Sequence, residues 1–194
     1  HTRLTDVTGV QTCAFRSPLT AGVAALLRSV RPELTPVQVR DLLRATADKA
    51  DAPDNARGWG MIDAWEAVLS SGLVISTNPK IFWSGSASAI MAWVVSKDPV
   101  DASGVRLTYT AGGTTRTVDM TRMRDASGLG AGSGLYTGTI DGVAAGTDVR
   151  FSIRAADSRE TRTSPYGAPE HMHRFVAGES RTLGAEHLMP ADFA

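Results

Sequence analysis

The sequence predicts an α/β segment, mainly helical at this end of its domain, followed by an all-β sandwich. Two observations indicate helices: residues 18–30 are almost all apolar or small, and a capped helical pattern follows at Thr35. A third indicates sheet, because the spacing of apolar residues changes from helical to alternating after Gly72. A chain of 194 residues is long enough for two modest domains. We therefore predict a domain boundary near residue 72.

The first helical pattern begins at Pro18 and has no polar stripe, which is typical of a helix buried on most of its faces. Small residues such as Ala21 and Gly22 allow close approach of neighbouring elements. Its main apolar face comprises Val23, Leu26 and Leu27. Without a sheet to cover it, we expect this face to be exposed and to promote aggregation.

Two further helices carry explicit start signals. Thr35, Pro36 and Gln38 form a capping box, in which side chains bond the free amides of the first turn. The stripe expected to be buried on this helix is Val39, Leu42 and Leu43. A polar connection then leads to GWGMID, where Asp63 is placed to cap a last short helix.

The segments SPLTAGVAALL, RPELTPVQVRDLLRATA and GWGMIDAWEAV follow one another in this order. The ordered set resembles the closing part of the catalytic domain of subtilisin-like serine peptidases. In that family the nucleophilic serine begins the buried helix, in the pattern G-T-S-x-S-x-P. Pro18, Ala21 and Gly22 match the continuation of this pattern, whereas Ala14 stands where the serine would be.

This departure matters because acyl transfer needs a hydroxyl, a histidine base and an aspartate that orients the base. Alanine has no nucleophilic atom, and the family's acid and base precede its serine, outside this sequence. The resemblance implies a secreted parent that cleaves polypeptide substrates, and a fragment that lacks the Asp/His/Ser triad and is inactive alone. It implies no cofactor here, although calcium is possible in the intact parent. A natural pseudoprotease is the alternative to a truncated gene.

Residues 7–17 have a separate resemblance, to the translation of a sequencing-library adapter with one base lost. We predict that residues 1–17 are non-native and set them aside before reasoning about the fold. Residues 18–72 are then expected to be the C-terminal end of the peptidase domain.

After residue 72, alternating apolar residues predict strands, most clearly at 89–95, 105–110 and 147–156. Glycine-rich turns separate them, and their spacing is typical of a sandwich of about seven strands. Residues 73–178 resemble a fibronectin type III or immunoglobulin-like accessory domain, and residues 179–194 are expected to be a tail, possibly truncated. Contact with a cell surface or a polymer is possible through this sandwich. A non-enzymatic binding or adhesion module is therefore the rival function.

The charge balance favours no polyanionic partner, because 20 Lys and Arg residues offset 20 Asp and Glu residues. We predict no nucleic-acid binding. No apolar run approaches the roughly 20 residues that span a bilayer, so no membrane insertion is expected.

Histidines and carboxylates suggest metal sites only weakly. His171 and His173, beside Glu170, have the spacing of metal ligands on one strand face. Structural zinc normally needs four ligands, and His187 is the one further histidine nearby in the sequence. We therefore favour solvated histidines at a strand end and predict no metal site. Candidate calcium ligands at Asp119, Asp125 and Asp141 match no recognised calcium loop.

Two further patterns have ordinary structural interpretations. The glycine run 128–134 lacks the lysine of a phosphate loop and is interpreted as a flexible turn. A sugar-stacking platform could include Trp59, Trp65, Trp83 or Trp93, but we favour core positions for these side chains.

Overall fold

The computed structural model describes residues 4–77, 80–84, 87–178 and 181–182, with side chains for 17–77 and 87–178. The chain divides into two compact units, residues 1–71 and 72–194. We call the first the helical unit and the second the sandwich. In the described part of the chain, no helix is both long enough and apolar enough to cross a membrane.

The helical unit contains three helices, α1 (Leu4–Val30), α2 (Pro36–Ala45) and α3 (Ala64–Ser70), each of which contacts the other two. α1 extends well before Pro18, where the helix was expected to begin. The stretch 4–17 contains no other proline, and a proline inside a helix removes one backbone hydrogen bond without forbidding the helix. The buried apolar residues of the unit are Leu27, Val39, Leu43, Ala47, Ala67, Val68 and Leu69.

The predicted helix caps are confirmed. The Gln38 amide donates to the Thr35 hydroxyl at 3.3 Å, and the Thr35 amide donates to the Gln38 side chain at 2.8 Å. At α3, the Asp63 carboxylate accepts the Glu66 amide at 2.8 Å. These bonds satisfy amides that have no partner within the helix, so both helices begin where the sequence places them.

The sandwich consists of two antiparallel sheets, which confirms the predicted all-β architecture. The six-stranded sheet has the order β11-β2-β3-β7-β6, with β1 also paired to β3, and the five-stranded sheet has the order β10-β8-β4-β5, with β9 also paired to β8. The strands are β1 (Val74–Thr77), β2 (Lys80–Ser84), β3 (Ala87–Val95), β4 (Arg106–Ala111), β5 (Thr114–Asp119), β6 (Thr121–Asp125), β7 (Gly134–Asp141), β8 (Asp148–Ala156), β9 (Thr161–Ser164), β10 (His173–Val176) and β11 (Arg181–Thr182).

The described residues form eleven strands, more than the predicted seven or so, and interrupted pairing accounts for two of the additional strands. β1 pairs with one half of β3 and β2 with the other half. In the same way, β10 and β9 pair with successive parts of β8. In each case two short strands occupy one edge of a long neighbour, so the number of strands exceeds the number of strand positions.

The core of the sandwich lies between the two sheets. Phe151 on β8, Tyr136 on β7 and Ile90 on β3 are almost completely buried there. The alternation predicted in 147–156 is confirmed at Val149, Phe151 and Ile153, which face inward, and at Arg150 and Arg154, which are exposed, whereas Ser152 between the two arginines is buried. Burial of this one apolar face stabilises the pairing of the sheets.

The chain passes between the sheets at Met120, which joins β5 to β6. The Met120 side chain is buried in the core, and its amide donates to the Val105 carbonyl at 2.9 Å. Beyond it, the register between β6 and β7 shifts between Arg122 and Arg124, which is a β-bulge at the edge of the sheet.

Candidate functional site

The four residues that carry the peptidase resemblance lie on α1. Ala14 lies about one helical turn before Pro18, and its side chain is outside the described part. Pro18, Ala21 and Gly22 are exposed, and a Cβ added at Gly22 would contact nothing within 4 Å. Close packing at these small residues is thus not observed among the described contacts of the helical unit.

The backbone at position 14 also differs from the arrangement that acyl transfer uses. α1 is continuous from Leu4, so residue 14 lies inside the helix and not at its N-terminus. Amides inside a helix bond preceding carbonyls and do not point at an oxyanion. In addition, the described residues of the helical unit include no histidine. In the described residues, position 14 therefore has no histidine in its own unit and no free helix-terminal amides beside it.

The polar connection after α2 folds back as a hairpin held by Asp48. Its carboxylate accepts the Met61 amide at 2.6 Å, and its own amide donates to the Met61 carbonyl at 3.0 Å. Gly60 has φ of 86°, and a Cβ there would lie 1.7 Å from Asp48 Oδ1. Only glycine fits at this position, which gives the GWG motif a structural reason.

The tip of this hairpin is organised by Asp54. One of its oxygens accepts the amides of Ala56 and Arg57 at 2.9 and 2.6 Å, and Lys49 forms an ion pair with the other. Hydrogen bonds from Lys49, then Arg57 and Ala56, lower the pKa of the Asp54 carboxyl against a small opposing effect of burial. The segment 48–61 is thus a fixed structure and not an open loop.

Arg44 on α2 contacts this hairpin. Its guanidinium lies 5.5 Å from the centre of the Trp59 ring, which is a cation–π distance. Arg40 and Asp41, on the exposed side of α2, form an ion pair at 2.7 Å. The contact connects the end of α2 to the GWG motif.

Comparison with known families gives one match, to the subtilase family, over residues 13–60. This segment, which contains much of α1, all of α2 and the Asp48 hairpin, is therefore subtilase-related and links the chain to serine peptidases. The match includes residues 13–17, which the adapter interpretation treats as non-native, so the origin of residues 1–17 stays a prediction.

Comparisons with individual proteins assign nothing further. No curated protein matches the chain. Among solved structures, the crystal structure of a Br derivative of BhCBM56 is similar at a TM-score of 0.36 and 9% identity, covering 54% of this chain and 91% of that one. A similarity at this level assigns neither a family nor a ligand.

The two central histidines have different environments. His171 is exposed in the turn before β10, as expected. His173 is only 3% exposed, and its ring lies 5.0 Å from that of Phe151, so solvation at a strand end is wrong for this residue. β10 pairs with β8 so that His173 stands opposite Phe151 and faces the core. The alternation of His173, Phe175 and Ala177 was the signal that could have shown this.

His173 belongs to a polar cluster that joins the two sheets. Its Nε2 lies 3.2 Å from the Thr77 hydroxyl on β1 and 3.3 Å from the Ser164 hydroxyl on β9. A serine beside a histidine has the form of a nucleophile and base. Ser164 is half-buried, but His173 is buried and its Nε2 also contacts the buried Thr77 hydroxyl on the other sheet, so the cluster links the two sheets.

The three candidate calcium ligands do not converge on one site. Asp119 pairs with Arg106 at 3.2 Å and Asp125 with Arg122 at 2.9 Å. Asp141 ends β7, at the far end from the residue that pairs with Asp125. Within the described ranges, no three His, Cys, Asp or Glu side chains form a group that could hold a metal ion. His187 lies outside the described residues.

The tryptophans are more exposed than expected. Trp65 is 60% exposed on α3, and Trp59 and Trp93 are 40% and 37% exposed, so core positions are wrong for these three. The side chain of Trp83 is outside the described part. Trp59 and Trp65 belong to the helical unit and Trp93 to β3 of the sandwich, and the ring contacts among the described residues involve none of these three.

The glycine run 128–134 is a packed turn. The Gly130 amide donates to the Ser96 carbonyl at 2.9 Å. A Cβ at Gly130 or Gly132 would lie 2.0 or 2.2 Å from the carbonyl oxygens of Asp98 and Val100. These glycines are therefore required for close backbone approach, and the run has a structural role in place of phosphate binding.

Proposed function

We propose that the helical unit is the C-terminal part of the catalytic domain of a subtilisin-like serine endopeptidase. The intact parent hydrolyses peptide bonds in polypeptides outside the cell. The observation that carries this proposal is the subtilase match over residues 13–60. The confirmed caps at Thr35 and Asp63 and the glycine-dependent Asp48 hairpin support it, because they give the matched motifs a defined fold.

By the same proposal, this chain alone has no peptidase activity. Position 14 is alanine, which offers no hydroxyl for acyl transfer. An activated serine also needs a histidine held by hydrogen bonds, and in this family those residues precede the serine in the chain. A hydroxyl placed at position 14 would therefore remain unactivated.

A peptidase assay with three proteins tests both statements. The purified chain and its Ala14→Ser variant are expected to leave a fluorogenic peptide uncut, whereas a protein that includes the gene sequence upstream of Pro18 is expected to cleave it. A fluorophosphonate probe, which labels activated serines, is expected to label only the longer protein. Turnover by the present chain above a blank would refute its inactivity. An upstream frame without a matching aspartate, histidine and serine would refute the peptidase proposal.

Sequencing the source DNA separates the remaining alternatives. Adapter sequence over residues 7–17 would establish a truncated gene. Ordinary coding sequence there, with alanine at position 14, would instead indicate a natural pseudoprotease.

A second candidate is a non-enzymatic binding module, in which the sandwich carries the function. The observation that favours it is a concentration of arginines on the outer face of the five-stranded sheet, where β8 alone contributes Arg150 and Arg154. Binding by the chain in the absence of any peptidase activity would support this role.

A further inference from the structure

The outer face of the five-stranded sheet places arginines in directly opposed pairs. Arg106 on β4 stands opposite Arg154 on β8, and Arg150 on β8 stands opposite Arg174 on β10. Residues opposite each other in a sheet lie on the same face, with their strands about 4.8 Å apart. All four side chains are exposed. We call this surface the arginine face.

Opposed like charges are unfavourable, and the described carboxylates offset them only in part. Asp119 pairs with Arg106 at 3.2 Å, and Asp148 contacts both Arg150 and Arg174, at 3.4 and 2.5 Å. Arg154 has no ion pair with any described residue. Four arginines thus face two aspartates, which leaves an excess of positive charge on this surface.

A row of hydroxyls lies between the two arginine pairs. Thr108 on β4 stands opposite Thr117 on β5 and Ser152 on β8, so the row crosses three strands. Ser152 is buried, and Thr108 and Thr117 form the accessible part of the row. The Thr108 and Thr117 hydroxyls lie 3.0 Å apart; only one of them donates in that bond, so the pair keeps one hydroxyl hydrogen for another acceptor. Arg150 and Arg154, one from each pair, are four residues apart along β8, or roughly 13 Å.

From this arrangement we infer that the arginine face binds an anionic polysaccharide. Its carboxylates or sulfates pair with the two sets of guanidinium groups, which bind planar anions through two parallel hydrogen bonds. Its sugar hydroxyls bond to the threonine row between them. The ligand supplies the negative charge that the protein's own aspartates do not.

The chemistry of the face favours a polysaccharide over a nucleic acid. Binding of single strands depends on aromatic side chains on which bases stack. The inward residues of β4 and β8 include Tyr109 and Phe151, but the described outward residues between the arginine pairs are hydroxyl-bearing. A zero net charge for the whole chain does not oppose this inference, because the sum over all residues conceals a local excess.

The experiment measures binding of the full chain to alginate, a polysaccharide that carries carboxylates, by affinity electrophoresis at low salt and about 0.2 M salt. Neutral dextran and a single-stranded DNA oligonucleotide serve as the other ligands. The variants are Arg154→Gln, Arg154→Lys and, as a control with the same change of charge, Arg124→Gln on β6 in the other sheet. Thermal melting checks that each variant folds.

We expect alginate to retard the chain at low salt and much less at high salt. Arg154→Gln weakens binding about tenfold, as loss of a charge-assisted hydrogen bond predicts. Arg154→Lys loses less, and Arg124→Gln changes binding by less than about twofold. Because the position is already repulsive, Arg154→Gln melts no lower than the parent chain.

Other outcomes overturn the inference. Equal losses in Arg154→Gln and Arg124→Gln would mean that binding follows net charge alone. Dextran that binds as tightly as alginate would remove the role of charge, and DNA that binds more tightly would point to nucleic acid. No retardation at low salt would leave the face without this ligand. None of these results bears on peptidase activity, so the two proposals fail separately.

Discussion

The helical unit and the sandwich differ in how completely each covers its own apolar side chains. In the sandwich, one contiguous core extends from Leu73 to Ala177 and includes residues of both sheets. The shorter helical unit exposes more large apolar side chains, among them Leu19, Leu26, Val37, Met61 and Trp65, than the sandwich, where Trp93, Met123 and Tyr166 are exposed. Exposure of several large apolar residues is typical of surfaces that other elements cover. The proposed origin of the helical unit in a larger layered peptidase domain would supply such elements.

Truncation of one aromatic residue in each unit should show this difference most strongly. Phe151→Ala removes a fully buried ring and is expected to lower the free energy of unfolding of the sandwich by about 3–5 kcal/mol. Trp65→Ala in the helical unit should change stability by less than about 0.5 kcal/mol, since its ring is already exposed. Native-state hydrogen exchange measures each unit separately. Similar losses in both units would contradict the comparison.

Two glycines with the same backbone angle test which constraint matters more for the stability of the sandwich: close approach of the backbone or the left-handed conformation. Gly132 and Gly146 have φ of 83° and 84°, but only at Gly132 would a Cβ meet a carbonyl oxygen, at 2.2 Å. Gly146→Ala should cost about 1–2 kcal/mol for the left-handed backbone alone. Gly132→Ala should cost about 1–3 kcal/mol more, because the turn must move. Equal midpoints in urea would show that backbone angle is the whole effect.

Acid should weaken the sandwich through Asp157. Burial raises the pKa of this carboxyl, but hydrogen bonds from Ser96, Glu160 and Arg159 outweigh burial and leave the pKa below its ordinary value. A lowered pKa stabilises the fold above the unfolded value of about 3.9 and ceases to do so as the pH falls through the folded value. Asp157→Asn should therefore cost about 1 kcal/mol at neutral pH and reduce the loss of stability in acid.

The control for this experiment is Asp141→Asn, which removes the same charge at the exposed end of β7. It should leave the pH dependence of unfolding almost unchanged. If both variants reduced the loss of stability in acid equally, the effect would result from net charge and not from the hydrogen bonds around Asp157.

The smallest expected effect is an increase in the free energy of unfolding. Arg154→Gln relieves the repulsion between opposed arginines and should raise the free energy of unfolding by about 0.2–1 kcal/mol at low salt. At high salt the gain should disappear, because exposed charges are screened. Arg124→Gln is the matched control and should be neutral. A loss of stability in Arg154→Gln at low salt would show that this arginine is compensated after all.

Features that depend on neighbours in sequence were predictable from the sequence. The caps at Thr35 and Asp63 and the alternation along β8 were predicted and observed, since a cap or a pleat involves residues only a few positions apart. The start of α1 was not predicted, because a proline in a helical sequence marks either a first turn or an interior position.

Features that depend on pairing were not predictable. Arg106 and Arg154 become neighbours only through the register of β4 and β8, which no local pattern specifies. The burial of His173 likewise follows from the pairing of β10 with β8. The exposure of Trp65 depends on which elements cover α3, and hydrophobicity alone does not contain that information.

The bulge between Arg122 and Arg124 affects how separate molecules meet. β6 is the outermost strand of its sheet, and its unpaired amides and carbonyls are a template for a strand from another molecule. The displaced Met123 and the charged residues beside it disturb the regular spacing that such a strand would need. Strand addition between copies at this edge is therefore disfavoured.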